Sequence, residues 1–303
     1  MPGTHCSHGD FRGMRHAIAA LLLCATCACR GTAPDTSLER LIESRRLTSD
    51  LLVQLAKSAD AGNRAVMAQT EEASAAFVRE AEQAAAAIQR DAEALRPALQ
   101  SLGYADETRL LDEFEKRFAG YRTVDRTLLD LTAENTNLKA QRLSFGPASQ
   151  AADALRDALG GLSGGDAAPR VEAAAANAIA AVREIQVLQA PHIAEADDAA
   201  MTEMEKRMAA EETAARRALQ SLAPLVGQAA APRLAQATAA LERFSMLNAE
   251  IVNLSRRNTN VRSLALSLDE KRKLTGPCEQ SLRALVDALG KHGYRGGLHP
   301  GGR

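Results

Sequence analysis

The sequence predicts an all-α fold, an elongated antiparallel four-helix bundle built from two duplicated long helical hairpins, and three observations lead there. The first is composition: of 303 residues 62 are Ala, against six Phe, three Tyr and no Trp. Ala, Leu, Glu, Arg and Gln lose little on entering a helix, and the β-branched and aromatic residues that fill strands are scarce. The second is the lack of Val/Ile-rich runs of strand length, which excludes a parallel α/β sheet and, with it, a sandwich or barrel. The third is an internal repeat. Residues 98–102 (ALQSL) recur at 218–222, Asn135-Thr136-Asn137 as Asn258-Thr259-Asn260, and Gly146-Pro147 and 157–160 as Gly276-Pro277 and 287–290. The separation grows from 120 to 123 across a loop and to 130 inside a helix. A step of seven is two helical turns and keeps the buried face in register.

Residues 1–29 read as an address. Arg15-His16 precedes the apolar run 17–23 and the small-residue segment 24–29, the layout of a signal peptide. The run is too short to span a bilayer, which takes about 20 residues. Met14 is an alternative start to Met1, because the segment before it is polar. Cys27 and Cys29 end the run in a setting that resembles the lipobox of bacterial lipoproteins, although Thr26 or Cys24 stands three positions before each where that pattern has Leu. The resemblance implies lipid anchoring at Cys29 or Cys27, with plain secretion as the alternative. Cys6 lies ahead of the signal, so Cys278 alone remains in the body; no disulfide framework is expected, and Cys278 reads as a small buried hydrophobe.

Punctuation places the helices. Thr36-x-x-Glu39 after Pro34 is a capping box, and the first helical stretch runs from it towards Pro97 with a break near Gly62. A turn at 103–106 leads to the second stretch, about 106–160, which ends in the Gly-rich segment 160–165. That segment lacks the Gly-Lys-Ser/Thr ending of a phosphate loop and reads as a linker. Pro169 and Pro232 suit the first turns of the third and fourth stretches, to about 224 and 290. The first hairpin therefore occupies 30–160 and the second 169–290, with a turn at 161–168 between them and a Gly-rich tail, 291–303, expected to be disordered. Each stretch would be on the order of 85 Å long, and two such hairpins laid together bury each other's apolar stripes. Gly146-Pro147, Ala190-Pro191 and Gly276-Pro277 read as kinks; as turns they would give a shorter bundle with more helices.

Chemistry is sparse. With 37 Lys and Arg against 38 Asp and Glu, the formal charge of −1 gives no footprint for nucleic acid, and the few aromatics give no stacking platform. His192 with Glu195 reverses the Glu-x-x-His order of di-iron bundles, so no metal and no cofactor is expected, and His192 reads as a solvated or interface residue. Glu195, Asp197 and Asp198 read as a wet helix face.

The Asn repeat is more informative. Ile251, Leu254, Asn258, Val261, Ala265 and Leu268 alternate spacings of three and four, which puts Asn258 on the apolar stripe; Asn135 holds the same slot between Leu131 and Leu138, and Arg142 follows a heptad later. Polar residues there fix register or partner choice, and replacing Asn258 by Leu would be expected to stabilise the helix packing. The functional alternative is a polar pocket in which Asn135, Asn258, Arg142, Arg256, Arg257 and Arg262 grip a small carboxylate-bearing ligand.

Residues 188–201 (LQAPHIAEADDAAM) with the charged helix after them, and 131–140 (LTAENTNLKA) leading to Gly146-Pro147, resemble in pattern and composition the extracytoplasmic four-helix-bundle sensor domains of methyl-accepting chemotaxis receptors. The resemblance covers about 170–290, with a weaker echo in the first half, and implies ligand sensing or partner binding outside the cytoplasm. A receptor of that family has a second membrane span, and no apolar run of 18 or more residues supplies one here. A second pattern, Arg46 and Lys57 eleven residues apart, resembles the all-helical chorismate mutases, but Val66, Gln69 and Thr70 stand where that family has its next charges. The expectation is a non-catalytic exported bacterial lipoprotein, held at the periplasm or outer surface by lipid, which binds a small ligand or an envelope protein. An exposed apolar stripe would also allow a homodimer. The alternatives are an enzyme or carrier with an Arg/Asn-lined core pocket, and a structural spacer of the envelope.

Overall fold

The computed structural model describes residues 37–162 and 165–292, all of it helix and connecting turn. The expected signal peptide, the lipidation candidates Cys27 and Cys29, and the Thr36 cap lie outside the described residues.

Helix α1 (Ser37–Met67) and helix α2 (Glu71–Leu102) form an antiparallel hairpin. The chain reverses at 68–70 rather than near Gly62, because that is where the stop and start chemistry sits. Thr70 is extended, its side chain accepts from the Ala73 amide at 3.2 Å, and Glu71 and Glu72 occupy the positive end of α2. Gly62 stays helical inside α1. Helix α2 passes through Pro97 and ends at Gly103, whose left-handed backbone (φ 72°) lets its N–H reach back to the carbonyls of Leu99 and Gln100.

Two composite helices follow the same plan. One comprises α3 (Ala105–Glu134), α4 (Thr136–Leu143), a single π-turn at Ser144–Ala148 and α5 (Ser149–Gly160). Between them and the second composite helix stands another antiparallel hairpin, α6 (Ala168–Ala194) and α7 (Asp198–Leu222), in which Asp197 caps α7 by accepting from the Ala200 amide. The second composite helix comprises α8 (Ala231–Arg257), α9 (Thr259–Leu266), a π-turn at Ser267–Lys271 and α10 (Arg272–Lys291). The two composite helices run antiparallel, at roughly 85–90 Å each for a rise of 1.5 Å per residue.

The hairpins flank opposite halves of that pair. In the first half α1 and α2 pack with α3 and α10 around Leu51, Leu95, Phe114, Phe118, Cys278 and Leu282. In the second, α6 and α7 pack with α5 and α8 around Leu155, Ala178, Ile185, Leu219, Leu241 and Phe244. The described residues therefore form six principal helical segments, with one large core in each half and a smaller cluster of Ala61, Val66, Ala81, Leu128 and Leu129, where the sequence suggested one core between four helices of equal length. The reason is local: the first and third stretches each fold back at a capped turn, 68–70 and 195–197, and so cover only half a composite helix each.

The prolines are accommodated in different ways. Pro147 falls in the first π-turn, whose wider loop tolerates a missing N–H. Pro277 lies inside α10, and its carbonyl accepts from Arg117 and Ser281. Pro191 lies close to the end of α6. Lys291 and His292, expected to belong to a disordered tail, are placed against the rest of the chain. Lys291 closes α10, and the His292 ring stacks on Tyr104 at 3.8 Å while its Nε2 lies 2.7 Å from Glu107 Oε1. Residues 293–303 lie outside the described residues. Among the described residues no helix is long and apolar enough to cross a membrane.

Candidate functional site

Asn135 and Asn258 are the only non-glycine residues of the described chain with positive φ, at 50° and 54°. Asn tolerates this left-handed backbone better than other side chains. Each interrupts its composite helix for one residue and leaves the first amides of α4 and α9 without intrahelical partners. The two breaks meet, and each supplies what the other lacks. The Thr136 and Thr259 amides each donate to the other's hydroxyl at 3.1 Å, and the Asn137 and Asn260 amides each donate to the other's side-chain oxygen at 3.1 Å. Asn137 Nδ2 donates to Asn258 Oδ1 at 2.9 Å, and Asn260 Nδ2 to Asn135 Oδ1 at 3.0 Å. Asn137 and Asn258 also cap the end of α6, donating to the carbonyls of Ile193 and Glu195. Residues bond to their own counterparts 123 positions away, which is the contact pattern of a two-fold axis.

The six residues expected to line one pocket are not brought together. Asn135 and Asn258 are buried in this crossing, with their side-chain amides engaged. Arg257 bridges to Glu134 at 2.7 Å and Arg142 to Glu71 at 2.7 Å, both largely in solvent. Arg262 is exposed. Arg256 belongs to a different cluster: its Nε and Nη2 grip Glu205 at 2.6 and 3.0 Å, and it also reaches Asp198 and Thr202.

That cluster contains His192, which is fully buried rather than solvated. Its Nε2 lies 2.9 Å from Glu205 Oε1 and its Nδ1 2.5 Å from Ser255 Oγ. The Arg256 guanidinium, and then His192, hold the Glu205 carboxyl below its usual range against the opposing effect of burial. The sequence carboxylate, imidazole, hydroxyl has the order of a hydrolytic triad, yet Ser255 is fully buried and Ser255 Oγ also bonds the Val252 carbonyl, so no substrate meets it in this conformation. The cluster braces the α6–α7 turn against α8. Asp197 and Asp198 are exposed, as the sequence suggested, but they and the half-buried Glu195 lie at the α6–α7 turn, where Glu195 Oε1 accepts from the amides of Ala196 and Asp197.

The first half buries a charged group. Lys271, from the second π-turn, and Asp125, on α3, are 2% and 0% exposed with Nζ and Oδ1 2.8 Å apart, in an ion pair not aligned as a hydrogen bond. Lys271 lies across Gly62, where a Cβ would stand 2.2 Å from Nζ. Arg122 Nη1 donates to the other Asp125 oxygen at 3.1 Å, while Arg122 Nε is buried without a partner. Burial, with Asp125 adding to it, pushes the neighbouring Tyr121 phenol well above its usual range. The corresponding place in the second half is neutral: Ser144 donates to Gln189, and Gln189 donates to Asn248.

Arg122 also lines a groove of about 550 Å³ between α2 and α3. Ile88, Ala92, Phe114 and Phe118 form its apolar floor, and Arg96, Arg122 and Arg126 stand along its walls with Glu93 and Glu115. Arg96 is committed to Asp112 and Glu115, at 2.7 and 2.5 Å. The site was not anticipated, although the sequence carries a trace of it. Phe114, Phe118, Arg122 and Arg126 recur every four residues, and a four-residue step drifts about 40° round a helix. That drift carries the ladder from the core out to solvent and so lays an apolar floor beside a basic wall. Among the described residues no group of three His, Cys, Asp or Glu side chains is placed to hold a metal. Comparison with known protein families, with curated proteins and with solved structures found no match.

Proposed function

We propose that this chain is a non-catalytic binding module of the bacterial cell envelope, exported and lipid-anchored at Cys29 or Cys27, which takes up a small ligand in the α2–α3 groove of its first half. The observation that carries the reading is the groove itself: a concave space of about 550 Å³ with an aromatic floor and a few polar groups at its walls is of the size and chemistry that small molecules occupy. The sensor-like helix pattern supports the same reading, as does a duplicated hairpin plan meeting on the crossing of Asn135 and Asn258. Two halves that share composite helices are suited to passing a change in one to the other.

A thermal-shift screen of the full chain against amino acids, dicarboxylates and aromatic acids tests the reading. At a ligand concentration 100-fold above Kd, binding adds roughly 2.7 kcal/mol and raises the melting temperature. A screen in which no compound shifts it would leave the spacer reading as the better one. Anchoring is tested separately: palmitate labelling and membrane retention should both be lost when Cys27 and Cys29 are changed to Ser, and their persistence would remove the lipoprotein reading.

A further inference from the structure

We propose that the ligand of the α2–α3 groove is an anionic amphiphile, a carboxylic acid with an aromatic or alkyl body, whose carboxylate is held by Arg122 and whose body lies along the groove over Phe118 and Ala119. This rests on the groove being a binding site and adds the class of its occupant.

Asp125 is one carboxylate facing two cations, Lys271 Nζ at 2.8 Å on one oxygen and Arg122 Nη1 at 3.1 Å on the other. The buried cluster thus carries one uncompensated positive charge. Uncompensated buried charge is costly, and an anion placed beside it removes the cost. Lys271 is sealed against Gly62 and Asp125, so the accessible side of the cluster is Arg122, which lines the groove and retains 13% side-chain exposure. Asp125 takes only Nη1. The guanidinium thus keeps donors that Asp125 does not take, and a carboxylate in the groove meets them at the exposed part of the side chain.

The other groove charges do not satisfy Arg122. Glu115 is taken by Arg96 at 2.5 Å, and Glu93 stands exposed on α2. Arg126, one turn beyond Arg122, is exposed and makes no ion pair among the described residues, so it adds positive potential at the mouth. The floor is uncharged: Ile88 and Phe114 are fully buried beneath it, and Phe118, 5% exposed, and the exposed Ala119 are what a ligand meets. A floor of that kind takes a hydrophobic body, and the basic wall takes the acid.

The second half supplies a comparison within the same molecule. The positions 123 residues after Phe114, Phe118, Arg122 and Arg126 hold Ala237, Leu241, Ser245 and Ala249, and Asp125 corresponds to the neutral Asn248. The aromatic floor, the basic wall and the buried excess charge therefore occur together in one half and are absent together from the other.

The test is calorimetric titration of the full chain with phenylacetate and octanoate, with 2-phenylethanol and 2-phenylethylamine as neutral and cationic controls. Two variants accompany it. Arg122→Gln removes the guanidinium, and Ala119→Trp, at an exposed position on the groove wall, fills the groove while leaving the buried charges in place. Both acids should bind, Arg122→Gln should weaken them by about tenfold or more, Ala119→Trp should abolish binding, and neither control should bind. If the alcohol or the amine binds and Ala119→Trp blocks it while the acids do not bind, the groove remains a site and the anionic class is overturned. Acid binding that survives Ala119→Trp places the acid elsewhere and overturns the proposal too. If none of the four probes binds, the acid class falls, and the broader screen decides whether the groove binds anything.

Discussion

Gly62 is a residue whose identity is set from across the fold. Its missing Cβ makes room for Lys271 Nζ, and a methyl built there would approach to 2.2 Å. Gly62→Ala is predicted to destabilise the protein by about 1–3 kcal/mol, as overpacking does, despite the gain in helix propensity; urea unfolding measures it, and a stabilised variant would contradict the packing described. Removing one partner of the buried pair is worse. Asp125→Asn should cost about 3–5 kcal/mol by leaving Lys271 buried without its carboxylate, whereas Lys271→Met leaves Asp125 paired with Arg122 and should cost less. The double change Lys271→Gln with Asp125→Asn, which imitates the neutral amides of the second half, should cost less than Asp125→Asn alone. A double-mutant cycle by denaturant unfolding compares them.

Glu205 gives a pH dependence with a definite sign. Its carboxyl is held below the ordinary value of 4.5, first by Arg256 and then by His192. A group whose folded pKa is depressed contributes stability that is present above its unfolded pKa and lost as pH falls through the folded one. The stability difference between the wild type and Glu205→Gln should therefore be present at neutral pH and shrink as the pH is lowered below 4.5. Unfolding curves across that range check this. A difference that grows on acidification would contradict the assignment.

At the scale of elements, the crossing of the composite helices depends on two left-handed Asn residues. The apolar stripe alone suggested that Asn258→Leu would stabilise. At φ 54°, with its amide donating to the Glu195 carbonyl and its oxygen accepting from Asn137, the opposite is predicted. Asn258→Leu should destabilise by about 2–4 kcal/mol, from left-handed strain and from buried groups left without partners. Asn258→Gly, which keeps the backbone relaxed, should cost less than Asn258→Ala. Thermal unfolding of the three variants ranks them, and a rank with Gly worst would show that backbone conformation is not what Asn supplies.

The same crossing shows what could and could not be read from sequence. The repeat of Asn-Thr-Asn and its place on the stripe were legible, because spacing alone fixes the face of a helix. That each Asn breaks its helix, and that the two breaks satisfy each other, was not, because the left-handed Asn135 and Asn258 find their partners, Asn260 and Asn137, 125 and 121 positions away. The turns at 68–70 and 195–197 were missed for a related reason. Ala68 and Gln69 carry no punctuation, Pro191 drew attention to the wrong place, and Thr70 and Asp197 act as caps only because the chain reverses before them.

For the whole molecule, composition gave the helical class, and the Ala-rich second core of Ala174, Ala175, Ala178, Ala181 and Ala215 shows where much of that Ala is used. The partition into two halves needed tertiary information, since each hairpin covers only half of a composite helix. The groove lay further still from view, since it needs Phe114, Phe118 and Arg122 of α3 to face Ile88 and Arg96 of α2. Because the composite helices run through both halves, the halves are predicted to unfold together. Scanning calorimetry should show one heat-absorption peak, and two resolved peaks would mean that the halves are independent.

Hydrogen exchange read by mass spectrometry tests whether the α2–α3 groove binds the proposed ligand. With octanoate added to the full chain, slowed exchange should be confined to peptides covering 88–96 and 114–126, with the second half unchanged. Unaltered exchange in those peptides, or protection confined to the second half, would contradict binding there.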